Sequence, residues 1–186
     1  MKKILIIVDP QNDFITGSLA VPGAEEKIDA LADYLYENGR FFDSIYVTLD
    51  SHPENHCSFK ENGGIWPKHC VTMTEGWEIP TYLMDVLNEL NVEYYRKGTE
   101  VDKEEYSIFD NEDDGSNLKT DLIEEVNDST EIYLCGIAGD YCVLETLKGL
   151  TKFADDIIVI EDFTASIDGG EKLKNYILEH TNIELI

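Results

Sequence analysis

Five short apolar runs limit what this chain can fold into: KILIIV (3–8), SIYVTL (44–49), VEYY (92–95), EIYLCG (131–136) and DIIVIE (156–161). Each is rich in β-branched or aromatic residues and nearly continuous in apolar character. Such runs fit strands covered on both faces. Between them the period changes. Over 25–38, Ile28, Leu31, Ala32 and Leu35 fall on one face of a helix, which Gly39 ends. Helices are expected likewise over 81–90, 118–126, 141–153 and 170–180, and the tail IELI reads as a sixth strand. This alternation predicts an α/β fold with three layers, α/β/α, around a mostly parallel sheet of about six strands. No repeat or linker divides the chain, so a single domain over 1–186 is expected.

Thirty-nine acids against 14 Lys and Arg give a formal net charge of −25. That charge repels nucleic acid and anionic membrane, and neither is expected as a partner. Behind MKK the apolar run stops at Asp9 after five residues, shorter than a signal peptide core or a membrane span. The four cysteines include no CxxC pair. Free thiols in a reducing cytoplasmic setting are expected.

Ligands of open α/β sheets bind at the carboxyl ends of the strands. Along that edge the first run ends in Asp9, the second in Asp50 and the third at Arg96 and Lys97, while the fourth runs into IAGDYC. Cys142 thereby falls in the first turn of a helix, just past a strand. A helix N-terminus and a nearby lysine both lower a thiol pKa, so Cys142 is expected to titrate low. Asp9 is the candidate to take its proton and return it, and Lys97 the candidate cation. The N–H groups of Ala138 and Cys142 can face a developing oxyanion. Free cysteines are also often small buried hydrophobes, and residue types alone leave both readings of Cys142 open. Cys135, inside a strand, reads as core.

The stretch 50–80 is long and irregular and holds three of the four histidines and both tryptophans. Long loops in compact domains are usually functional. In DSHPENHCSF (50–59), Asp50 and His52 point to the same side of an extended chain, and WPKHC (66–70) adds His69. Two histidines and a carboxylate with open positions suit zinc, iron or manganese. His56 and Glu61 are further candidate ligands or supporting donors. Ordinary loop histidines, or a structural zinc site using Cys57 or Cys70, stay open as alternatives. Phe14 and Trp66 read as core or as walls for a flat ligand. DNEDDGSN (110–117) partly follows a calcium loop, but Asn117 and Asp121 depart from it; the competing reading is a solvated turn with Ser116 or Asn117 capping the next helix.

Together VDPQNDF (8–14), GSLAVPGAEE (17–26), DSHPENHCSF (50–59), WPKHC (66–70), RKG (96–98), YSIFD (106–110) and GIAGDYCV (136–143) resemble the isochorismatase-like cysteine hydrolases, and within them the nicotinamidases. The stretches occur in family order over nearly the whole chain. The resemblance implies a metal-dependent amidohydrolase that converts nicotinamide to nicotinate and ammonia through a thioester, as in NAD salvage, with pyrazinamide as a second substrate. Asp9, Lys97 and Cys142 would match the family's triad, with the oxyanion held at Ala138 and Cys142 beside a cis Ile137–Ala138 peptide. Asp50, His52 and His69 would match the metal ligands, and His56 a histidine that ligates in some members only. Phe14, Leu19, Trp66 and Tyr106 would wall the pyridine ring. One divalent transition metal is implied, zinc first, with iron or manganese as alternatives. The partner is a small aromatic amide, and a homo-oligomer is left open.

The chain departs from the family at EEYSI (104–108), where members often have Asp-Ser-Tyr-Ser and a small residue. Glu105 and Ile108 are therefore expected to reshape one wall of the pocket. Three rival readings stand beside this one: a family amidase acting on a ureido or carbamoyl substrate, a non-catalytic metal-binding or redox protein, and a metal-free isochorismatase-type hydrolase, whose members lack the nucleophilic cysteine.

Overall fold

The computed structural model describes residues 1–110, 122, 125–127 and 129–186. Six strands form one sheet in the order β3-β2-β1-β4-β5-β6. They are β1 (Lys2–Val8), β2 (Ser44–Asp50), β3 (Val92–Lys97), β4 (Thr130–Ile137), β5 (Ile157–Ala165) and β6 (Ile183–Leu185). Every neighbouring pair is parallel. The continuous apolar runs follow from burial on both faces. Leu5, Ile7, Ile45, Val47 and Cys135 pack on one face, with α2 (Ala24–Asn38) and α3 (Thr81–Leu87). Ile4, Ile6, Val8, Tyr46, Ile132 and Leu134 pack on the other, with α4 (Cys142–Leu150) and α5 (Glu171–Leu178).

Three expected helices run two or three residues past the α-helical stretch. In each, the last turn closes with tighter i→i+3 bonds, as in Leu90 N–H to Leu87 O, Phe153 N–H to Leu150 O and His180 N–H to Ile177 O. A four-residue helix, α1 (Asn12–Ile15), lies below what periodicity can register. β3 runs two residues beyond its apolar stretch. Arg96 spreads over the Trp77 ring at 5.0 Å, and Lys97 is buried. Most of the helix expected over 118–126, and the acidic loop after Asp110, lie outside the described residues. No helix among the described residues is long and apolar enough to cross a membrane.

Two features shape the carboxyl edge. Gly136 has φ +124°, and a Cβ there would stand 2.1 Å from the Val8 carbonyl oxygen, so only glycine lets β4 approach the end of β1. The long segment after β2 folds back on itself: His52 N–H donates to Cys70 O at 3.0 Å, and Thr72 N–H to His52 O at 3.0 Å. That pairing brings His69 beside His52.

Candidate active site

Asp9 follows β1 directly and takes a left-handed φ of 47°, unusual for a residue with a side chain. Thr48 holds it there, accepting from Asp9 N–H at its carbonyl (3.1 Å) and donating its hydroxyl to Asp9 Oδ1 (2.8 Å). Lys97 is the register partner of Asp50 across β2 and β3. Its ammonium lies 2.8 Å from Asp9 Oδ2, 3.1 Å from Asp50 Oδ1 and 3.6 Å from Cys142 Sγ. β3 and β1 are two strand spacings apart, about 10 Å, so the contact with Asp9 needs a long, unbranched cationic side chain.

Burial works against the charge of Lys97, but Asp50 and Asp9 outweigh it and hold its pKa well above the usual value. Burial lifts the Asp9 carboxyl above its ordinary range; Lys97 pulls it down and Asp50 pushes it up. Burial also drives the Cys142 thiol well above its ordinary value. Lys97 opposes this, while Asp9 and Asp50 add to it. The expectation of a low-titrating thiol is thus corrected. Cys142 does begin α4 beside Lys97, but it is only 6% exposed, and desolvation outweighs the favourable charges. Burial thus favours the neutral thiol over the thiolate. The Ile137–Ala138 peptide is cis. Ala138 O accepts from Tyr141 N–H and Val143 N–H, both at 3.0 Å, which fixes the turn between β4 and α4.

Asp50 also faces two histidines. His52 Nε2 lies 2.9 Å and His69 Nε2 3.5 Å from Asp50 Oδ2. His52 Nδ1 donates to Gly98 O at 2.9 Å, and His69 Nδ1 to Pro67 O at 2.7 Å. Carbonyls only accept, so in neutral rings the protons sit on Nδ1 and both Nε2 lone pairs face the carboxylate. His52 Nε2 is buried without a hydrogen-bond partner among the described residues. Three electron-rich atoms within 4.8 Å of one another, with no donor between them, call for a cation. Burial disfavours a charge on His52, but Asp50 outweighs it and raises the pKa. Burial likewise opposes the Asp50 charge, and Lys97 and His52 overcome it, holding the carboxyl well below its ordinary value. Two Nδ1-anchored histidines and one carboxylate fit a divalent metal ion.

His56 stacks on His52 with ring centroids 3.9 Å apart. Its Nε2 donates to Lys103 O at 2.9 Å and its Nδ1 pairs with Ser58 Oγ at 2.7 Å, so both nitrogens are engaged within the protein. With His52 and Glu104 it forms a second group of converging ligand atoms. Glu61 belongs to neither group: its side chain is 59% exposed and pairs with Lys68 at 3.5 Å. Neither group contains a cysteine among the described residues, which removes the basis for the Cys57 or Cys70 alternative.

Phe14, Leu19, Trp66 and Tyr106 line one cavity together with Asp50, His69, Ala138 and Cys142. Trp66 Nε1–H donates to Tyr106 OH at 3.1 Å. Tyr141, not anticipated as a wall, meets Trp66 edge-on at 5.0 Å. The expected effect of Glu105 and Ile108 on this wall is corrected. Ile108 is buried in the core on the α4 face, and the Glu105 carboxylate turns to the backbone, accepting from Gly98 N–H at 2.8 Å. The acid of this stretch that lines the cavity is Glu104, whose pKa burial raises first and Asp50 further.

Two further polar residues escaped sequence reasoning. Gln11 is fully buried and grips Asp50 on both sides, donating to Asp50 O at 2.8 Å and accepting from Asp50 N–H at 2.8 Å. Asp13 accepts from Cys70 N–H at 2.8 Å and so holds the residue after His69. Their only signal was membership of VDPQNDF.

The isochorismatase domain family matches residues 3–176. A nicotinamidase of Saccharomyces cerevisiae is 32% identical over 205 residues, covering 95% of this chain and 94% of its own. The pyrazinamidase of Pyrococcus horikoshii, solved with zinc, superposes with a TM-score of 0.79 at 29% identity, covering 100% and 99% of the two chains. PnC1 of L. infantum, solved with nicotinate, superposes with a TM-score of 0.82 at 30% identity, covering 100% and 92%.

Proposed function

The chain belongs to the isochorismatase domain family, and we propose that its cavity deamidates nicotinamide to nicotinate and ammonia through a thioester on Cys142. The observation that carries the reading is one buried ammonium, Lys97, within 3.6 Å of the thiol and in contact with both carboxylates. A purely structural cysteine has no need of a charged cluster that is costly to bury. The kinship with nicotinamidases and a pyrazinamidase supports the substrate class, and pyrazinamide, another flat ring carboxamide, is the second substrate. Nicotinate release suits NAD salvage, and four free cysteines suit a cytoplasmic setting.

The steps follow from the residues. The aromatic walls hold the ring flat, with the carboxamide over Cys142. Asp9 takes the thiol proton as the sulfur attacks the carboxamide carbon. The N–H groups of Ala138 and Cys142 receive the oxyanion. Asp9 then passes the proton to the departing nitrogen, and ammonia leaves. In the second half Asp9 takes a proton from water as its oxygen attacks the thioester; the sulfur leaves and takes that proton back, and the released acid gives its remaining proton to solvent as nicotinate. Lys97 balances each transient anion. Asp50, His52 and His69 would hold the divalent metal, zinc in this proposal, which supplies a Lewis acid to orient the ligand. His56 supports that site without ligating, and one domain over 1–186 carries the whole.

The test is ammonia release from nicotinamide by the purified chain and by Cys142→Ala, with metal content measured on both. The variant is expected to lose turnover by about four orders of magnitude while keeping its metal. A Cys142→Ala protein with most of its activity would sink the proposal.

A further inference from the structure

Glu105 is a buried acid, 2% exposed, that no step above uses. Its Oε2 accepts from Gly98 N–H at 2.8 Å, and its Oε1 lies 2.8 Å from Lys103 Nζ. The peptide it grips joins Lys97 to Gly98, and the Lys97 carbonyl on the same peptide accepts from Ser51 N–H at 2.9 Å. On the other side of Gly98, its carbonyl accepts from His52 Nδ1 at 2.9 Å. Gly98 has φ +65°, and a Cβ there would stand 2.5 Å from His52 Cε1 and 2.9 Å from Asp50 Oδ1. Only glycine fits, and glycine brings no conformational restraint of its own. The restraint comes from the groups that hold its two peptides. Without Glu105 the Gly98 N–H is a buried donor with no acceptor, and the backbone turns to find one.

We propose that Glu105 is a positioning residue: by holding the Gly98 N–H it keeps the Gly98 carbonyl on His52 Nδ1, and so keeps the His52 Nε2 lone pair turned to Asp50, where the divalent metal binds. This rests on the reading of Asp50, His52 and His69 as metal ligands. It assigns the departure at position 105 to the metal side of the site rather than to the wall for the substrate ring. A serine at that position, as in the family pattern, is two bonds shorter and does not span the distance to Gly98.

The test is zinc affinity, measured on the metal-stripped full chain by competition with a chromophoric chelator. Glu105→Ala and Glu105→Ser are expected to bind zinc about 10- to 100-fold more weakly than the parent. Glu105→Gln keeps an oxygen for Gly98 N–H and is expected within about threefold of the parent. Excess zinc restores nicotinamide turnover in Glu105→Ala, which a collapsed site would not allow. Parent-like affinity in the truncated variants overturns the proposal. So does a Glu105→Gln protein as weak as Glu105→Ala, since the bond to Gly98 is then not what matters. If Glu105→Ala does not fold, the Ser and Gln pair gives the same decision. Failure of the parent chain to bind zinc is a separate result: it removes the metal site itself, and this inference with it.

Discussion

Lys97 and Asp9 pair across an intervening strand: the ammonium reaches 2.8 Å from Oδ2 although β2 lies between β3 and β1. Both are buried, and Asp50 shares the same cation at 3.1 Å. Removing it leaves two carboxylates uncompensated. Lys97→Met is expected to cost about 3–5 kcal/mol, read as a lower urea midpoint, and to end ammonia release. A midpoint equal to the parent's would contradict the charge balance described.

The pH profile follows from the directions of the shifts. In the proposed mechanism Asp9 must be ionised to take the thiol proton, and its pKa lies above the ordinary 3.8. Activity is therefore lost as pH falls, with a midpoint above 3.8 in kcat/KM. On the alkaline side Cys142 and Lys97 both titrate well above 9.0 and 10.5, so kcat/KM stays level past pH 9. An alkaline limb near neutrality would contradict the burial argument.

Gly98→Ala and Gly63→Ala separate a clash from backbone strain. Both glycines have positive φ, +65° and +94°, but a Cβ at Gly63 meets nothing within 4 Å. Each substitution is expected to cost about 1–3 kcal/mol in strain. Only Gly98→Ala pushes on His52, so only it is expected to lose zinc uptake, measured as bound metal per chain. Equal metal content in the two variants would remove the steric link.

Tyr106→Phe deletes the acceptor of Trp66 Nε1–H. The indole then loses one of its restraints while its edge contact with Tyr141 stays. About 0.5–1.5 kcal/mol of positioning is expected to go, seen as a KM for nicotinamide raised about two- to tenfold with kcat little changed. A fall in kcat at constant KM would place Tyr106 in the chemical step.

The strands were legible because burial on both faces leaves an unbroken apolar run, as at Ile4 to Val8, which pack alternately on the two sides of the sheet. The residues at the strand ends were legible for the same reason: Asp9 and Asp50 interrupt such runs. What escaped depends on side-chain direction or on depth. Of two adjacent acids, only the conformation of the loop decides that Glu104 faces the cavity and Glu105 the backbone. The pKa of Cys142 turns on burial outweighing a neighbouring lysine, and no residue pattern carries that magnitude. Gln11 acts through backbone groups of Asp50, which spacing along the chain does not reveal.

Asp9, Asp50 and Lys97 sit at the ends of the neighbouring strands β1, β2 and β3, and Cys142 starts the helix that follows β4. No two of them are near in sequence, so the nascent or partly collapsed chain carries no reactive centre. The site comes into being only when the four central strands have found their register, among the slowest contacts a chain makes. In the proposed mechanism, turnover reports completed assembly, since the groups it needs meet only when the central strands are paired.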